Sequence, residues 1–462
     1  MSLPTLSVLL PNYNHAHFIG RALDAILAQS VQPTEIIVVD DASTDDSLTV
    51  IESYARRHEH IRVFRNPKNL GVNGSLNRAL EEATGEYIYG AAADDEVLPG
   101  FFERSLKLLA QYPQAGLCCS YPARMDAITG IVTDHATGWS EEERFFPPEM
   151  LADVMRGQAI AGHTAIVRRD ATVDVGGWIG DLRWFTDWYG LQMVAFRQGA
   201  CFIPASLALF RSSLTSYYST GIRKWDLQSS AIRHLLTMLQ SPDHADVLPL
   251  FRKSGVLGEI GLDAVRVISA YREQWNPELI DIFRSAVVAN ASLLMRDSEP
   301  EVRRGAATLL GEMGPEAWRS LPALLGARDC EHPQVCRAVC EAIPQLMGPY
   351  GRWIAQTLLA GLSGWVWLKR RVKTTLKPVA ASCYRRVNIK LYQRLDSFEQ
   401  ALEQSVRADA ELRQHLHDEL QRLSHAMDLA FAPKPEELAN LAFPLTNEDE
   451  LEAVSDPVVR VA

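Results

Sequence analysis

The stretch "GEYIYGAAADDEVLPGFF", Gly85–Phe102, decides how the rest of the chain is read. It runs as a short strand, then small residues, then two acids, then a helix opened by Pro99. Proline suits a first helical position, where its missing N–H has no partner to lose. Asp94 and Asp95 are the anomaly. Adjacent carboxylates where a buried strand runs out repel, and each raises the other's pKa. No basic residue stands near them in the sequence, so something positive is expected to come from elsewhere.

The surrounding sequence supplies a frame for that pair. "TLSVLL" (5–10) and "EIIVVD" (35–40) are β-branched runs bounded by turn residues, and "RVFR", "EYIYG" and "AGLCCS" follow as further strands. Helical patterns lie between them at Gly20–Gln29, Asp45–Arg57, Val72–Ala83 and Pro99–Gln111. Strands alternating with helix-length connections predict an α/β fold with a Rossmann-like, mostly parallel sheet covered on both faces. In such sheets ligands bind at the carboxyl ends of the strands. Tyr13 follows the first strand, Asp40 and Asp41 end the second, and Asp94 and Asp95 follow the fourth. A single acid there is often a helix cap, and Asp41 could cap a helix beginning near Thr44. Paired acids are harder to dismiss. A divalent cation removes their repulsion, and one held by one or two carboxylates completes its shell with water and phosphate oxygens. The physical reading is a nucleoside-diphosphate site with a divalent cation bridging Asp95 and the phosphates.

The totals exclude other classes. A net charge of −11 argues against nucleic acid as a partner. Seven cysteines without a CxxC fit reduced thiols in a cytosolic protein. Cys336 and Cys340 share a helix face, as metal ligands or as small core residues. "MSLPTLSVLLPNYN" has neither a basic leader region nor a small-residue cleavage site, so no signal peptide is expected.

The C-terminal half is helical by pattern. Residues 225–295 form a helical region after a first domain at 1–224. "EPEVRRGAATLLGEMGP" (299–315) and "HPQVCRAVCEAIPQLMGP" (332–349) repeat at a period of 33, pairing Pro300 with Pro333, Val302 with Val335 and Arg304 with Arg337. This resembles HEAT-type helix pairs, placed at 296–349. Trp353–Leu368 is sixteen uncharged residues, short of the roughly 20 a spanning helix needs. With nine Lys or Arg between Lys369 and Arg394 and no acid among them, residues 350–378 read as an amphipathic helix at a membrane interface. A helix packed on the repeats is the alternative. Leucines at three-and-four spacing predict a long helix or coiled coil over 386–431, and residues 432–462 form an acidic mobile tail.

"SVLLPNYNHAHFIGRALDAILAQSVQPTEIIVVDDASTDDS" and "LGVNGSLNRALEEATGEYIYGAAADDEVLPGFFE" together resemble family 2 glycosyltransferases of the GT-A fold. The resemblance is dense over residues 5–120 and looser to about 218. It implies that Pro11 and Tyr13 line a nucleobase pocket, that Asp41 contacts the base, that Asp94 faces the ribose and that Asp95 binds Mg2+ or Mn2+. Many relatives carry a further Asp two residues before the pair, where this chain has Ala92. The match to the family's base segment is "LRWFTDWYGLQMVAFRQGACFIPASLALFR", which makes Asp187 the catalytic base, with Asp181 its rival. Trp184, Phe185 and Trp188 beside it would desolvate it and raise its pKa. A helix cap is the bland reading of Asp187. Where relatives often carry a metal- or diphosphate-binding His, this chain has Arg211, a fork for phosphate or a surface residue. His163 falls where relatives shape the acceptor side, unless it is structural.

The resemblance implies an inverting displacement from a nucleotide-sugar, with UDP-sugars favoured, to a hydroxyl of a glycan or lipid-linked acceptor. Bacterial surface polysaccharide or glycoconjugate synthesis is the expected setting. The location expected is cytoplasmic, with peripheral contact at the inner face of the membrane. The C-terminal helices would pair copies of the chain or recruit other assembly enzymes. Two other classes compete. A degenerate transferase could serve as a protein-binding scaffold through the repeats and coiled coil. A nucleotidyltransferase would need a glycine-rich, basic loop after the first strand, which "PNYNHAHF" does not provide.

Overall fold

The computed structural model describes residues 2–134, 136–212, 217–274, 277–327 and 332–346. The expectations for 350–378, 386–431 and 432–462 lie outside those residues. The chain divides into two compact units, 1–306 and 307–462.

The first unit opens with β1 (Leu6–Asn12), α1 (Ala16–Leu27), β2 (Glu35–Asp40), α2 (Ser47–Ala55), β3 (Ile61–Arg65), α3 (Gly71–Glu82) and β4 (Tyr87–Gly90). Then come β5 (Glu96–Val97), α4 (Phe101–Gln111), β6 (Leu117–Asp126), β7 (Val132–Asp134), β8 (Arg144–Phe146), α5 (Pro148–Met155) and β9 (Ala165–Arg168). The α/β part closes with α6 (Arg169–Asp174), α7 (Thr186–Gln198) and β10 (Ala200–Ser212). Helices follow, as the sequence predicts: α8 (Tyr217–Gly221), α9 (Trp225–Leu239), α10 (Leu248–Ser254), α11 (Gly261–Ala270), α12 (Pro277–Ala289) and α13 (Ala291–Leu294).

Among the described residues the sheet has ten strands, ordered β3-β2-β1-β4-β9-β6-β10-β5, with β7 on β6 and β8 on β10. β3, β2, β1 and β4 run parallel. Every residue of β1 and β2 is buried, which is why these strands read as unbroken apolar runs rather than alternating ones. The expected parallel arrangement is therefore these four strands, together with the β6–β10 pair. Between the two parallel groups, β9 runs antiparallel to both β4 and β6. It has four residues, too few for a pattern to announce it.

Two details place the site. α4 starts at Phe101, after Gly100 with φ 87°, so Pro99 precedes the helix instead of opening it. Phe101 and Phe102 are fully buried and pack edge-on to Tyr89 of β4, at centroid distances of 5.3 and 5.8 Å. They form a rigid floor under the Asp94–Asp95 loop. β10 is the second detail. Its pairing with β6 shifts register on either side of Ser206, beside Pro204, which cannot donate to the ladder. Beyond the irregularity β10 pairs with β5, and this carries Arg211 to the acidic loop.

The second unit is described as far as residue 346. α14 (Pro300–Met313) leads into it, followed by α15 (Leu321–Gly326) and α16 (Pro333–Leu346). α14 and α16 both start at the prolines that the repeat aligns, and each has fourteen residues. α16 buries Val335, Val339, Ile343 and Leu346 along one stripe and leaves Cys336 and Cys340 half-buried. Among the described residues no helix is long and apolar enough to cross a membrane.

Candidate active site

Parallel β1, β2 and β4 end on one edge of the sheet, with Asn12 in register with Asp40 and Leu9 with Gly90. Pro11 is buried in β1, whereas Tyr13 just beyond is 43% exposed, with its ring free to meet a ligand. The loop that carries Tyr13 is fixed by amide groups the sequence did not single out. Asn12 Nδ2 donates to Asp40 Oδ1 and to Ser43 Oγ at 3.3 and 3.2 Å. Asn14, with φ 55°, accepts through Oδ1 from the Thr44 N–H at 2.7 Å.

Asp41 is placed at this edge, but its carboxylate is engaged by protein. It accepts from Asn66 Nδ2 at 2.7 Å, the Leu70 N–H at 2.8 Å and the Gly71 N–H at 2.9 Å. It therefore grips the start of α3, rather than capping the helix near Thr44.

Asp94 and Asp95 sit half-buried between β4 and β5. Burial pushes the Asp95 pKa up to about 7, and the neighbouring Asp94 charge adds to this; Arg211 pulls it back. The Arg211 N–H donates to Asp95 Oδ1 at 2.9 Å, and its Nε donates to the Asp94 carbonyl at 3.2 Å. The guanidinium also lies 5.5 Å from the Phe18 ring centre, over α1. The basic partner missing from the local sequence thus arrives from β10. It grips the loop, yet Asp95 keeps its high pKa, so negative charge there stays under-compensated. That donor set, oxygen-only and electron-rich, fits a divalent cation. Among the described residues no group of three or more His, Cys, Asp or Glu is placed to hold an ion. A cation on Asp95 would need water and substrate oxygens to complete its shell.

Asp187 opens α7. Its side chain reaches solvent, yet protein crowds it, and burial raises its pKa while a hydrogen bond from Trp178 opposes the rise. Trp178 Nε1 donates to Asp187 Oδ1 at 2.8 Å. The sequence pointed to Trp184 and Trp188 as the desolvating neighbours, and here the structure differs. Trp184 packs on Phe185, Tyr217 and Gly221, and Trp188 on Phe251. Trp188, the next residue on α7, points to another face of the helix, and Trp184 lies in the short 3-10 segment before α7. Asp181 is exposed, in the short 3-10 segment before α7.

His163 is half-buried, and its shielded Nε2 lacks a partner among the described residues. Burial lowers its pKa to about 4, so it is neutral at physiological pH. Its carbonyl accepts from Tyr89 Oη at 3.1 Å, and its neighbour Gly162 lies against Asp187. The 162–163 segment thus touches both the floor of the acidic loop and the candidate base. Trp178 and the α3 amides Asn73 and Asn77 were not foreseen. Only the glycines at 176 and 177 hinted at a tight approach there.

Residues 7–176 match the family model described as glycosyl transferase family 2. An uncharacterized protein of Mycobacterium tuberculosis is 30% identical over 223 residues, covering 45% of this chain and 67% of the relative. A GalNAc(5)-diNAcBac-PP-undecaprenol beta-1,3-glucosyltransferase of Campylobacter jejuni is 35% identical over 99 residues, covering 21% of this chain and 32% of the relative. The chain thus spans about two thirds of the first of these and about one third of the second. Among solved structures, a mannosyltransferase of Pyrobaculum calidifontis in complex with GDP-Man and Mn2+ aligns with a TM-score of 0.43 at 19% identity, covering 75% of this chain and 88% of that one. The α/β sheet is of the GT-A type. Through residues 7–176, the chain belongs to glycosyl transferase family 2.

Proposed function

We propose that the protein is an inverting glycosyltransferase that moves a sugar from a nucleoside-diphosphate donor, UDP-sugars first, to a hydroxyl of a glycan or lipid-linked acceptor. The observation that carries this reading is the Asp94–Asp95 pair. It is held at the strand ends by Arg211, and Asp95 remains short of positive charge. The family membership supports transfer as the chemistry.

The parts then have roles. Tyr13 offers its exposed ring to the nucleobase, over the buried Pro11. Asp41 keeps the start of α3 at the nucleotide edge. Asp94 faces the ribose. Asp95 would hold Mg2+ or Mn2+, which when bound would supply Lewis-acid stabilisation of the departing diphosphate, worth several kcal/mol. Arg211 holds Asp94 and Asp95 in one geometry. Asp187 takes the proton of the acceptor hydroxyl through its carboxylate, a step worth roughly 10²–10⁴ in rate. Its raised pKa makes it a stronger base than a solvated aspartate. Neutral, half-buried His163 shapes the acceptor side without adding charge.

A lipid-linked acceptor and contact with the inner membrane surface extend the same reading. They rest on the sequence of 350–378 and on the undecaprenol-linked name of the Campylobacter relative. Assembly through the C-terminal helices and use in surface polysaccharide synthesis belong to the same proposal. The test is nucleotide release from UDP-sugars in the presence of Mn2+. Asp187→Asn should bind UDP as the wild type does and release nucleotide at least about a hundredfold more slowly. Wild-type turnover in that variant would overturn the base assignment.

A further inference from the structure

We propose that Trp178 is the positioning residue of Asp187, presented by α3 so that its indole N–H fixes the carboxylate that serves as base. The inference rests on the reading of Asp187 given above and adds the residue that orients it.

The contact is built from three sides. Asn77 on α3 holds both backbone groups of Trp178: its Oδ1 accepts from the Trp178 N–H at 2.8 Å, and its Nδ2 donates to the Trp178 carbonyl at 2.8 Å. Gly177 has φ +64°, and a Cβ there would stand 2.6 Å from Asn77 Oδ1, so no other residue permits this clamp. The indole lies on the end of β4, where a Cβ on Gly90 would come within 3.2 Å of the ring. On the far side, a Cβ on Gly162 would meet Asp187 Oδ2 at 3.0 Å. Asp187 is thus confined between a backbone wall at Gly162 and a donor at Trp178.

The same helix holds the other flank. Asn73, one turn before Asn77, donates to the Arg183 carbonyl at 2.9 Å. Arg183 has φ 53° and ψ −116°, a conformation that side chains rarely adopt without restraint. The start of α3 is gripped by Asp41. One rigid helix therefore connects the nucleotide edge of the sheet to both segments that flank the base.

An ordinary packing role for Trp178 does not account for its N–H. The fold leaves the indole nitrogens of Trp139 and Trp184 without partners among the described residues, so satisfying every indole is not a general demand here. Among the described residues, burial raises the Asp187 pKa and the Trp178 hydrogen bond alone opposes it. A single donor on the charged form, aligned at hydrogen-bond distance, sets both the direction of the carboxylate and its basicity.

The experiment follows the indole 1H–15N resonances of the 15N-tryptophan-labelled full chain from pH 4 to 8, with no ligand present. The expected result is one resonance, absent in Trp178→Phe, that moves with a midpoint above the ordinary Asp value of about 3.9 and stands still in Asp187→Asn. Asp187→Asn alone keeps the test decisive should the tryptophan variant not fold, because it removes the carboxylate and keeps the indole. The proposal is overturned if no indole titrates, or if the same one titrates equally in Asp187→Asn. Undiminished nucleotide release from UDP-sugars by Asp187→Asn would overturn the base reading, and the proposal with it, even with the titration intact.

Discussion

Arg211 donates its backbone N–H to Asp95 Oδ1 at 2.9 Å across 116 residues of sequence. The bond joins the last strand, β10, to the acidic loop, and the Arg211 side chain secures the same loop through the Asp94 carbonyl. The geometry of the candidate metal and ribose contacts thus depends on β10 bending past Pro204.

Arg211→Ala keeps the backbone bond and removes the guanidinium. A charged hydrogen bond of this kind contributes about 1.5–3 kcal/mol. UDP affinity with Mn2+ should therefore fall roughly tenfold or more, and the melting temperature should drop with it. Calorimetric titration checks it, and unchanged affinity would reduce Arg211 to a surface residue.

Asp95 should make stability pH-dependent in the absence of metal. Its folded pKa, about 7, lies above its ordinary value of 3.8. Below pH 4 the group is protonated in both states and contributes its full share. As pH rises towards 7 the unfolded chain releases the proton first, so folding stability is lost until the folded pKa is passed. Asp95→Asn removes this loss. The melting temperature of the variant minus that of the wild type should grow from pH 4 to 7 and level off above. A constant difference would contradict the high pKa.

Gly162→Ala tests the wall behind the base. The added methyl would stand 3.0 Å from Asp187 Oδ2 and push the carboxylate aside. The fold should survive, because the displaced atom ends a side chain that reaches solvent. Nucleotide release should fall, by less than the roughly hundredfold that a misplacement of about 1 Å costs, because the carboxylate need move only a few tenths of an ångström, while UDP binds as before.

Asp41→Ala separates two roles for one acid. Its buried carboxylate serves Asn66 and two backbone N–H groups at the start of α3. Stranding those donors should cost about 2–4 kcal/mol in urea unfolding. A variant of unchanged stability that no longer binds UDP would instead assign Asp41 to the nucleobase.

The first four strands were legible because each is an apolar run closed by turn residues, and parallel pairing leaves both faces buried. Asp94 and Asp95 were legible because two adjacent acids at a strand end have no cheap structural excuse. The pattern could not show β9, whose four residues carry no alternation, nor the grip of Arg211, which depends on a register shift in β10. It also misassigned the aromatic neighbour of Asp187. Residues adjacent in sequence looked close, yet on α7 they turn away, and Trp178 reaches the carboxylate from an earlier loop. Asn73 and Asn77 looked like surface residues of a helix. Their function appears only once segments more than a hundred residues later are folded against them.

The most direct measurement is calorimetric titration of UDP into the purified protein with and without Mn2+, repeated on Asp95→Ala. The account predicts binding that requires Mn2+ and is lost in Asp95→Ala, whose melting temperature without metal is not below that of the wild type. Equal binding without metal, or metal-dependent binding that survives in Asp95→Ala, would contradict the assignment of Asp95. Failure of UDP, GDP and dTDP alike to bind would contradict the transferase reading itself.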